Sequence, residues 1–402
     1  MRYRTRKKKQ MNSEKEIPES EFNDRRSRAT AKARELGLSG LLVCAKGGAS
    51  LDRYGDVMYL TNHYSSFPYI PDFPGLWTGR GHSFLVMPLD DEPTLIVDIP
   101  SIESIRMPAD RIVYVTEVIE KTAEFLKKAL PKGRVGLIGG DAIPATIAKA
   151  FEAAVPNVTW VPADHITGDL RKFKSPAEIE KLRAASALGS RMIDAMMETA
   201  QPGATHGDVV AAGMQVLIPA GGILYNSFMA SGKGGDNPTI TRSNFPTWGS
   251  KQPLRNGEWF RTGISGVLDG YYFDLARCRP IGVDISNEQV NAFEAAIAVV
   301  DECFEAIQPG RTAGSVAVAG FRRQDDLGFP ARGYFPGLGH GIGLGWDSPW
   351  LVVGEETIVE PGMVFCLEKT LIRDGYLGDC EDTVVITENG PKRITDARLR
   401  YW

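Results

Sequence analysis

The sequence has few cysteines, and their arrangement excludes two kinds of site. The five cysteines are scattered through 402 residues and show no Cys-x-x-Cys spacing. This pattern argues against a disulfide framework and against a cysteine-ligated zinc site. It indicates a reducing, cytoplasmic setting.

Long apolar runs and an excess of positive charge are also missing. No run approaches the roughly 20 residues that a membrane helix requires. The net charge of -4 provides no basic surface for nucleic acid. We therefore expect a small-molecule or dipeptide-like substrate, with no nucleic-acid or membrane partner.

The chain is long for a single core, and 43% hydrophobic residues are enough for two domains. We expect a disordered basic extension at residues 1–22, an amino-terminal domain at 23–170 and a second domain at 171–402. The extension lacks the apolar segment of a signal peptide, and Met11 is an alternative to Met1 as the start.

The first half alternates short apolar runs with amphipathic segments, which is typical of an α/β domain with helices on the faces of a sheet. A loop rich in proline and aromatic residues follows Tyr64 and ends at Trp77. It is either packed loop structure or a lid over a substrate pocket, in which Tyr64 contacts the substrate. The expected helices lie at 27–36 and 117–130, and the expected strands at 40–44, 57–60, 83–87, 94–97 and 134–138.

The second half contains an internal repeat. QPGATHGDV at 201–209 is echoed by QPGRTAGSV at 308–316. In each copy Pro-Gly ends one helix and a threonine caps the next. We therefore expect two related halves, each completed by strands, whose polar residues converge on one cavity. A long helix precedes the first copy, because Ser175, Pro176 and Glu178 form a capping-box pattern.

Four residues in this half are candidate metal ligands. His340 lies between glycines, Asp274 ends an aromatic strand, and Glu368 and Glu381 lie within apolar strands. A carboxylate is costly to bury without a counter-charge, so each position favours a cation. Three carboxylates and one imidazole suit Mn, Fe, Co or Zn.

Each candidate also has a structural alternative. Asp274 could pair with Arg277 or Arg261, and Glu381 with Arg373. A lone histidine such as His340 is more often a satisfied core residue than a ligand.

The chain carries four further motifs: GYYFDLAR at 270–277, GHGIGL at 339–344, EPGMVFCLE at 360–368 and EDTVVITENG at 381–390. Together they resemble the pita-bread metallopeptidases, a family that includes prolidase, Xaa-Pro aminopeptidase, methionine aminopeptidase and the related creatinase. The resemblance implies an α/β (α+β) fold, in which a creatinase/prolidase-like domain precedes a pita-bread catalytic domain with a pseudo-two-fold internal repeat. It also implies a homodimer.

The resemblance assigns roles to the four candidates. The family binds two metals through two aspartates, one histidine and two glutamates, and the place of the other aspartate falls on Gly263. A single divalent metal per chain, held by Asp274, His340, Glu368 and Glu381, is therefore expected. The resemblance makes His340 and Glu368 catalytic, with Glu368 as the proton carrier.

Two histidines that bind the reacting group in these peptidases have no counterpart at 244–248 or at 345–349. Ordinary Xaa-Pro cleavage is therefore not the first expectation. Three arginines either bind a substrate carboxylate or have a surface or structural role: Arg242, Arg261 and Arg332. Trp346 and Asp347 either contact a cationic or apolar substrate or pack beside the pocket.

The sequence thus favours a hydrolase that cleaves a C–N bond in a small amide, amidine or peptide-like compound. Three alternatives stay open: an Xaa-Pro aminopeptidase or dipeptidase, a lyase acting on a small carboxylate-bearing compound, and a non-catalytic binding protein.

Overall fold

The computed structural model describes residues 16–47, 53–68, 70–99, 104–245, 249–330 and 335–402. Within these ranges the helices are α1 Glu19–Glu35, α2 Gly55–Thr61, α3 Val118–Ala129, α4 Ala145–Ala154, α5 Asp164–Lys172, α6 Pro176–Thr199, α7 His206–Leu217, α8 Asn287–Ala306 and α9 Ala313–Asp326. The strands are β1 Gly40–Lys46, β2 His82–Pro88, β3 Thr94–Val97, β4 Ile112–Tyr114, β5 Lys132–Ile138, β6 Asn157–Pro162, β7 Ile223–Lys233, β8 Thr239–Phe245, β9 Trp259–Leu268, β10 Tyr271–Pro280, β11 Gly339–Ile342, β12 Trp346–Trp350, β13 Val364–Arg373, β14 Tyr376–Thr387 and β15 Gly390–Arg393.

The first sheet is covered by helices on both faces. Its strand order is β4-β3-β2-β1-β5-β6, with β1, β5 and β6 parallel. Because side chains alternate along a strand, Leu41 and Val43 join the core beneath α1 and α2, while Leu42 and Cys44 join the core beneath α3 and α4. This arrangement is the α/β domain that the alternating pattern predicts.

Two local expectations in this part were wrong. Residues 57–60 were expected as a strand but belong to α2, because a four-residue apolar run does not separate a buried helix from a buried strand. Asn62, in the left-handed conformation, ends that helix. α1 begins at Glu19, so the last four residues of the segment expected to be disordered are helical, and Phe22 is buried.

The second sheet carries its helices on one face and polar residues on the other. Its order is β12-β11-β13-β14-β10-β9-β7-β8, and β15 pairs with β14. Phe273 and Leu275 of β10 pack beneath α6 and α7, and Phe365 and Leu367 of β13 pack beneath α8 and α9. The alternate residues of the same strands therefore face away from the helices.

The internal repeat appears as matching contacts in the two halves. Thr205 forms a bridge with Pro253, and Thr312 forms the equivalent bridge with Ile358. Each threonine caps the helix that follows it, α7 or α9. The capping box of Ser175 at the start of α6 is also present.

Polar contacts join the two sheets. Arg171 of α5 binds Asp56 at 2.9 Å and Asp347 at 2.6 Å, and the Tyr54 hydroxyl donates to the Gly270 carbonyl at 2.6 Å. The expected boundary between 170 and 171 falls within α5. In the described part of the chain, no helix has the length and apolarity to cross a bilayer.

Candidate metal centre

The strand register places the four candidate ligands together on the helix-free face of the second sheet. Glu368 of β13 is opposite Glu381 of β14. Glu381 is in turn opposite Ala276, two residues after Asp274 on β10, and His340 of β11 is opposite Cys366, two residues before Glu368. Neighbouring strands lie about 4.8 Å apart, so these side chains converge on a small volume.

The donor atoms are close enough to share one ion. Nε2 of His340 lies 3.7 Å from Oδ2 of Asp274 and 3.9 Å from Oε1 of Glu368. Atoms from Asp274, His340 and Glu381 also lie within 4.8 Å of one another. Burial raises the pKa of Asp274 and of Glu381, and raises the pKa of Glu368 to about 8. The protein thus crowds carboxyl groups where their charged forms need a counter-ion.

The glycines beside His340 permit close packing of the backbone. Gly339 has φ of +140°, and a Cβ there would lie 1.9 Å from the Cys366 carbonyl oxygen, so a side chain is excluded. Nδ1 of His340 lies 2.9 Å from the Gly341 carbonyl, to which an Nδ1–H donates. Nε2 is then left with its lone pair directed at the carboxylates, as a metal-ligating histidine requires.

Asp274 is held on both of its oxygens. Ser265 of β9 donates to Oδ1 at 2.8 Å, and the indole of Trp346 donates to Oδ2 at 2.5 Å. Sequence reasoning missed Ser265. The sequence offers one indication of its role: Ser265 is two residues after Gly263 and therefore lies on the same face of the strand.

Cys366 is a further group that sequence reasoning left out. Its sulfur lies within 4.8 Å of the donor atoms of Asp274, His340 and Glu381. Alternation along β13 puts Cys366 on the same face as Glu368. Burial raises the thiol pKa well above its usual range, and the thiol contacts the Asp274 carbonyl oxygen at 3.7 Å. All five cysteines are free and buried.

The arginines proposed as alternative partners are occupied elsewhere. Arg277 binds Asp382 at 2.6 Å, and both side chains are buried. Arg261 binds Asp379 at 2.5 Å, and Arg373 donates to the Gly328 carbonyl. The alternative in which these arginines neutralise Asp274 or Glu381 by direct pairing is therefore wrong.

The candidate substrate contacts separate in the structure. Trp346 borders the candidate ligands, and Arg242 is exposed on the edge strand β8. Asp347 is bound by Arg171 and Lys174, which ties it to the junction of the two sheets. The ring of Tyr64 packs edge-on against Tyr54, and Arg332 lies outside the described residues.

A polar cleft lies at the junction of the two sheets. It has a volume of about 690 Å³. Arg53, Asp56 and Asp141 line it from the first sheet's side, and Trp346 and Trp350 line it from the second. Trp346 lines the cleft and also binds Asp274, whereas the four candidate ligands are not among the residues that line it.

The donor set fits a divalent cation. Ligands of a first-row metal lie about 2.0–2.2 Å from it, so their donor atoms are separated by about 3–4 Å. The distances of 3.7 and 3.9 Å from His340 fall in that range. Buried carboxylates with raised pKa values and an imidazole with a directed Nε2 also match the chemistry of such a site.

The fold and this donor set together define a metal-dependent hydrolase with the pita-bread fold. Residues 180–388 match the model of metallopeptidase family M24, and residues 25–173 match that of the creatinase/prolidase N-terminal domain. The chain belongs to metallopeptidase family M24. The resemblance carried by the four sequence motifs is confirmed.

Several relatives and solved structures are similar over much of the chain. The probable dipeptidase PepE of Mycobacterium tuberculosis is 27% identical over 328 residues, which cover 78% of this chain and 83% of that protein. The ectoine hydrolase of Halomonas elongata is 27% identical over 267 residues, 62% of this chain and 65% of that protein.

Among solved structures, the dipeptidase PepE of Mycobacterium ulcerans has a TM-score of 0.75 at 25% identity and covers 96% of this chain and 98% of its own. The prolidase of Pyrococcus horikoshii has a TM-score of 0.75 at 18% identity and covers 94% of this chain and 99% of its own, which shows the shared fold.

Proposed function

We propose that this protein is a hydrolase that uses one divalent cation, Mn, Fe, Co or Zn, to cleave a C–N bond in a small amide, amidine or peptide-like compound. The observation that carries the proposal is the convergence of Asp274, His340, Glu368 and Glu381 on one face of the sheet, with a glycine at position 263. Four donors are enough for one cation.

The four side chains differ in exposure, and this difference divides their roles. The side chains of Asp274 and His340 are 10% and 4% exposed, whereas that of Glu368 is 30% exposed. A bound cation supplies Lewis acidity, which polarises a substrate carbonyl and makes water acidic enough to attack near neutral pH. Asp274, His340 and Glu381 would hold the cation. Glu368, the most exposed of the four side chains, would also accept a proton from water and return it to the leaving nitrogen.

The cleft supports a small polar substrate. A volume of about 690 Å³ is within the range of pockets that enclose small molecules. Its wall combines charged groups such as Arg53 and Asp141 with the aromatic ring of Trp346. The likeness to an ectoine hydrolase and to dipeptidases supports amide or dipeptide-like compounds.

An Xaa-Pro dipeptidase is the second candidate, favoured by the likeness to an Xaa-Pro dipeptidase of Pyrococcus furiosus, 27% identical over 238 residues. We rank it second because the segment 345–349 holds no histidine. In this segment Trp346 binds Asp274 and Asp347 binds Arg171.

Metal content and a substrate panel test the proposal. Protein purified without chelator is expected to hold one transition metal per chain by elemental analysis. Glu381→Ala is expected to lose it, and Glu388→Ala, at an exposed glutamate on the following turn, to keep it. Two metals per wild-type chain, or none, would contradict the proposal. Turnover of amides, guanidino compounds and Xaa-Pro dipeptides ranks the substrate classes, and elimination without uptake of water would point to a lyase.

We also propose a cytoplasmic homodimer. The five buried free cysteines support a reducing compartment, and the dimer rests on the family resemblance. Light scattering is expected to give twice the chain mass of 43.9 kDa. A monomeric mass would overturn the dimer.

A further inference from the structure

The space beside Gly263 is open on the face that carries the candidate ligands. Gly263 is opposite Ala276, which is itself opposite Glu381. A Cβ built on Gly263 would have the Ala276 Cβ at 3.8 Å and Nη2 of Arg261 at 3.9 Å as its nearest neighbours, which are ordinary contact distances. A Cβ atom is accommodated at this position, and a guanidinium group borders the space that a longer side chain would enter.

The guanidinium lies one step along the strands from the two glutamates. Arg261 is two residues before Gly263 on β9, and Asp379 is two residues before Glu381 on β14. Because side chains alternate along a strand, Arg261 and Asp379 lie on the same face of the sheet as Gly263 and Glu381. The register pairs Arg261 with Cys278 in the same row. Two residues along a strand span about 6.6 Å, so the guanidinium is a neighbour of the carboxylates.

The position of this cation is fixed by several contacts. Nη2 of Arg261 binds Oδ2 of Asp379 at 2.5 Å, and Nη1 donates to the Phe228 carbonyl at 2.9 Å. Thr370 donates to the other oxygen of Asp379 at 2.7 Å. The Arg261 side chain is 16% exposed and that of Asp379 is 3% exposed. Both terminal nitrogens are bound within the protein, which argues against a role in gripping a substrate carboxylate.

We infer that the Arg261 guanidinium, held by Asp379, takes the electrostatic place of a second cation beside the single-cation site. The inference rests on the proposed function, since it presupposes that one cation binds the four donors. Two residues then limit the site to one cation. Gly263 has no side chain to act as a ligand, and Arg261 places a permanent positive charge beside the space that such a side chain would fill. A second divalent cation is excluded by repulsion as well as by the missing carboxylate.

Calorimetric titration with Mn²⁺, followed by elemental analysis after gel filtration, tests the inference. Wild type and Gly263→Asp are both expected to bind one Mn²⁺ per chain, because the new carboxylate pairs with Arg261. Gly263→Asp combined with Arg261→Ala is expected to bind two, because the new carboxylate and the released Asp379 are then both available. Gly263→Asn is the neutral control and is expected to match wild type.

The outcomes separate the inference from the proposed function. Wild type binding no Mn²⁺ would overturn the proposed function, and the inference with it. Wild type binding one and Gly263→Asp alone binding two would overturn only the inference. A double variant that keeps its circular dichroism spectrum yet binds one would also overturn it. If the double variant does not fold, Gly263→Asp alone still decides, since a Cβ at position 263 meets its neighbours at ordinary contact distances.

Discussion

The indole nitrogen of Trp346 donates a hydrogen bond to Oδ2 of Asp274 at 2.5 Å, so one residue forms part of the cleft wall and orients a candidate ligand. Trp346→Phe keeps a ring and removes the donor. We expect the affinity for Mn²⁺ to fall about 10- to 100-fold, as is typical when a group that orients a ligand is lost. Competition with a fluorescent chelator measures the change.

Trp350→Phe is the matched control, because the Trp350 ring also borders His340, with ring centroids 5.1 Å apart. It is expected to leave the Mn²⁺ affinity within a factor of about two, which is far less than the loss of an orienting hydrogen bond. Equal losses in the two variants would mean that aromatic packing, and not the hydrogen bond, supports Asp274.

Glu368→Gln tests proton transfer by the most exposed of the four donors. The amide keeps the shape of the side chain but cannot accept a proton near neutral pH, so we expect kcat to fall at least about 100-fold. Turnover of the best substrate from the panel is measured with Mn²⁺ at a saturating concentration. Unchanged kcat at full metal occupancy would assign the proton transfer to another group.

Arg277 stabilises the centre of the sheet through buried contacts. It binds Asp382 at 2.6 Å and donates to the Glu381 carbonyl at 2.7 Å. Arg277→Ala leaves a buried charge without this partner, and we expect the free energy of unfolding to fall by about 3–5 kcal/mol. Arg398→Ala breaks an exposed pair with Glu198 and is expected to cost less than about 1 kcal/mol. Urea denaturation measures both, and similar losses would contradict the prediction.

His206 predicts how stability depends on pH. It lies between Ser243 and Ser231, at 2.7 and 3.0 Å, and burial lowers its pKa from 6.5 to about 4. The folded state therefore binds a proton less readily than the unfolded state, so stability is full above pH 6.5 and falls as the pH drops towards 4. The loss from this group is at most about 3 kcal/mol.

Urea midpoints at pH 7 and pH 4 test this dependence. His206→Gln is expected to show a smaller difference between the two pH values than wild type. His165→Gln, at an exposed histidine, is expected to keep the wild-type difference. A His206→Gln variant with the full wild-type difference would assign the acid sensitivity to other groups.

The sequence identifies the candidate metal ligands better than it identifies the residues that contact them. His340, Glu368 and Glu381 stand out because polar groups within apolar or glycine-rich strands need a partner. The pairing of Arg261 with Asp379 depends on the register across β9, β10 and β14, which no local pattern specifies. The same holds for Ser265, whose role depends on the neighbouring strand. The local pattern also gave the wrong element at 57–60, where packing against the first sheet stabilises a helix and not the expected strand.

The internal repeat distributes the donors unequally between its copies. Asp274 belongs to the first copy, whereas His340, Glu368 and Glu381 belong to the second. Gly263 and Arg261 lie in the first copy with Asp274, so a change confined to that copy alters the surroundings of the site and leaves three of the four candidate ligands in place.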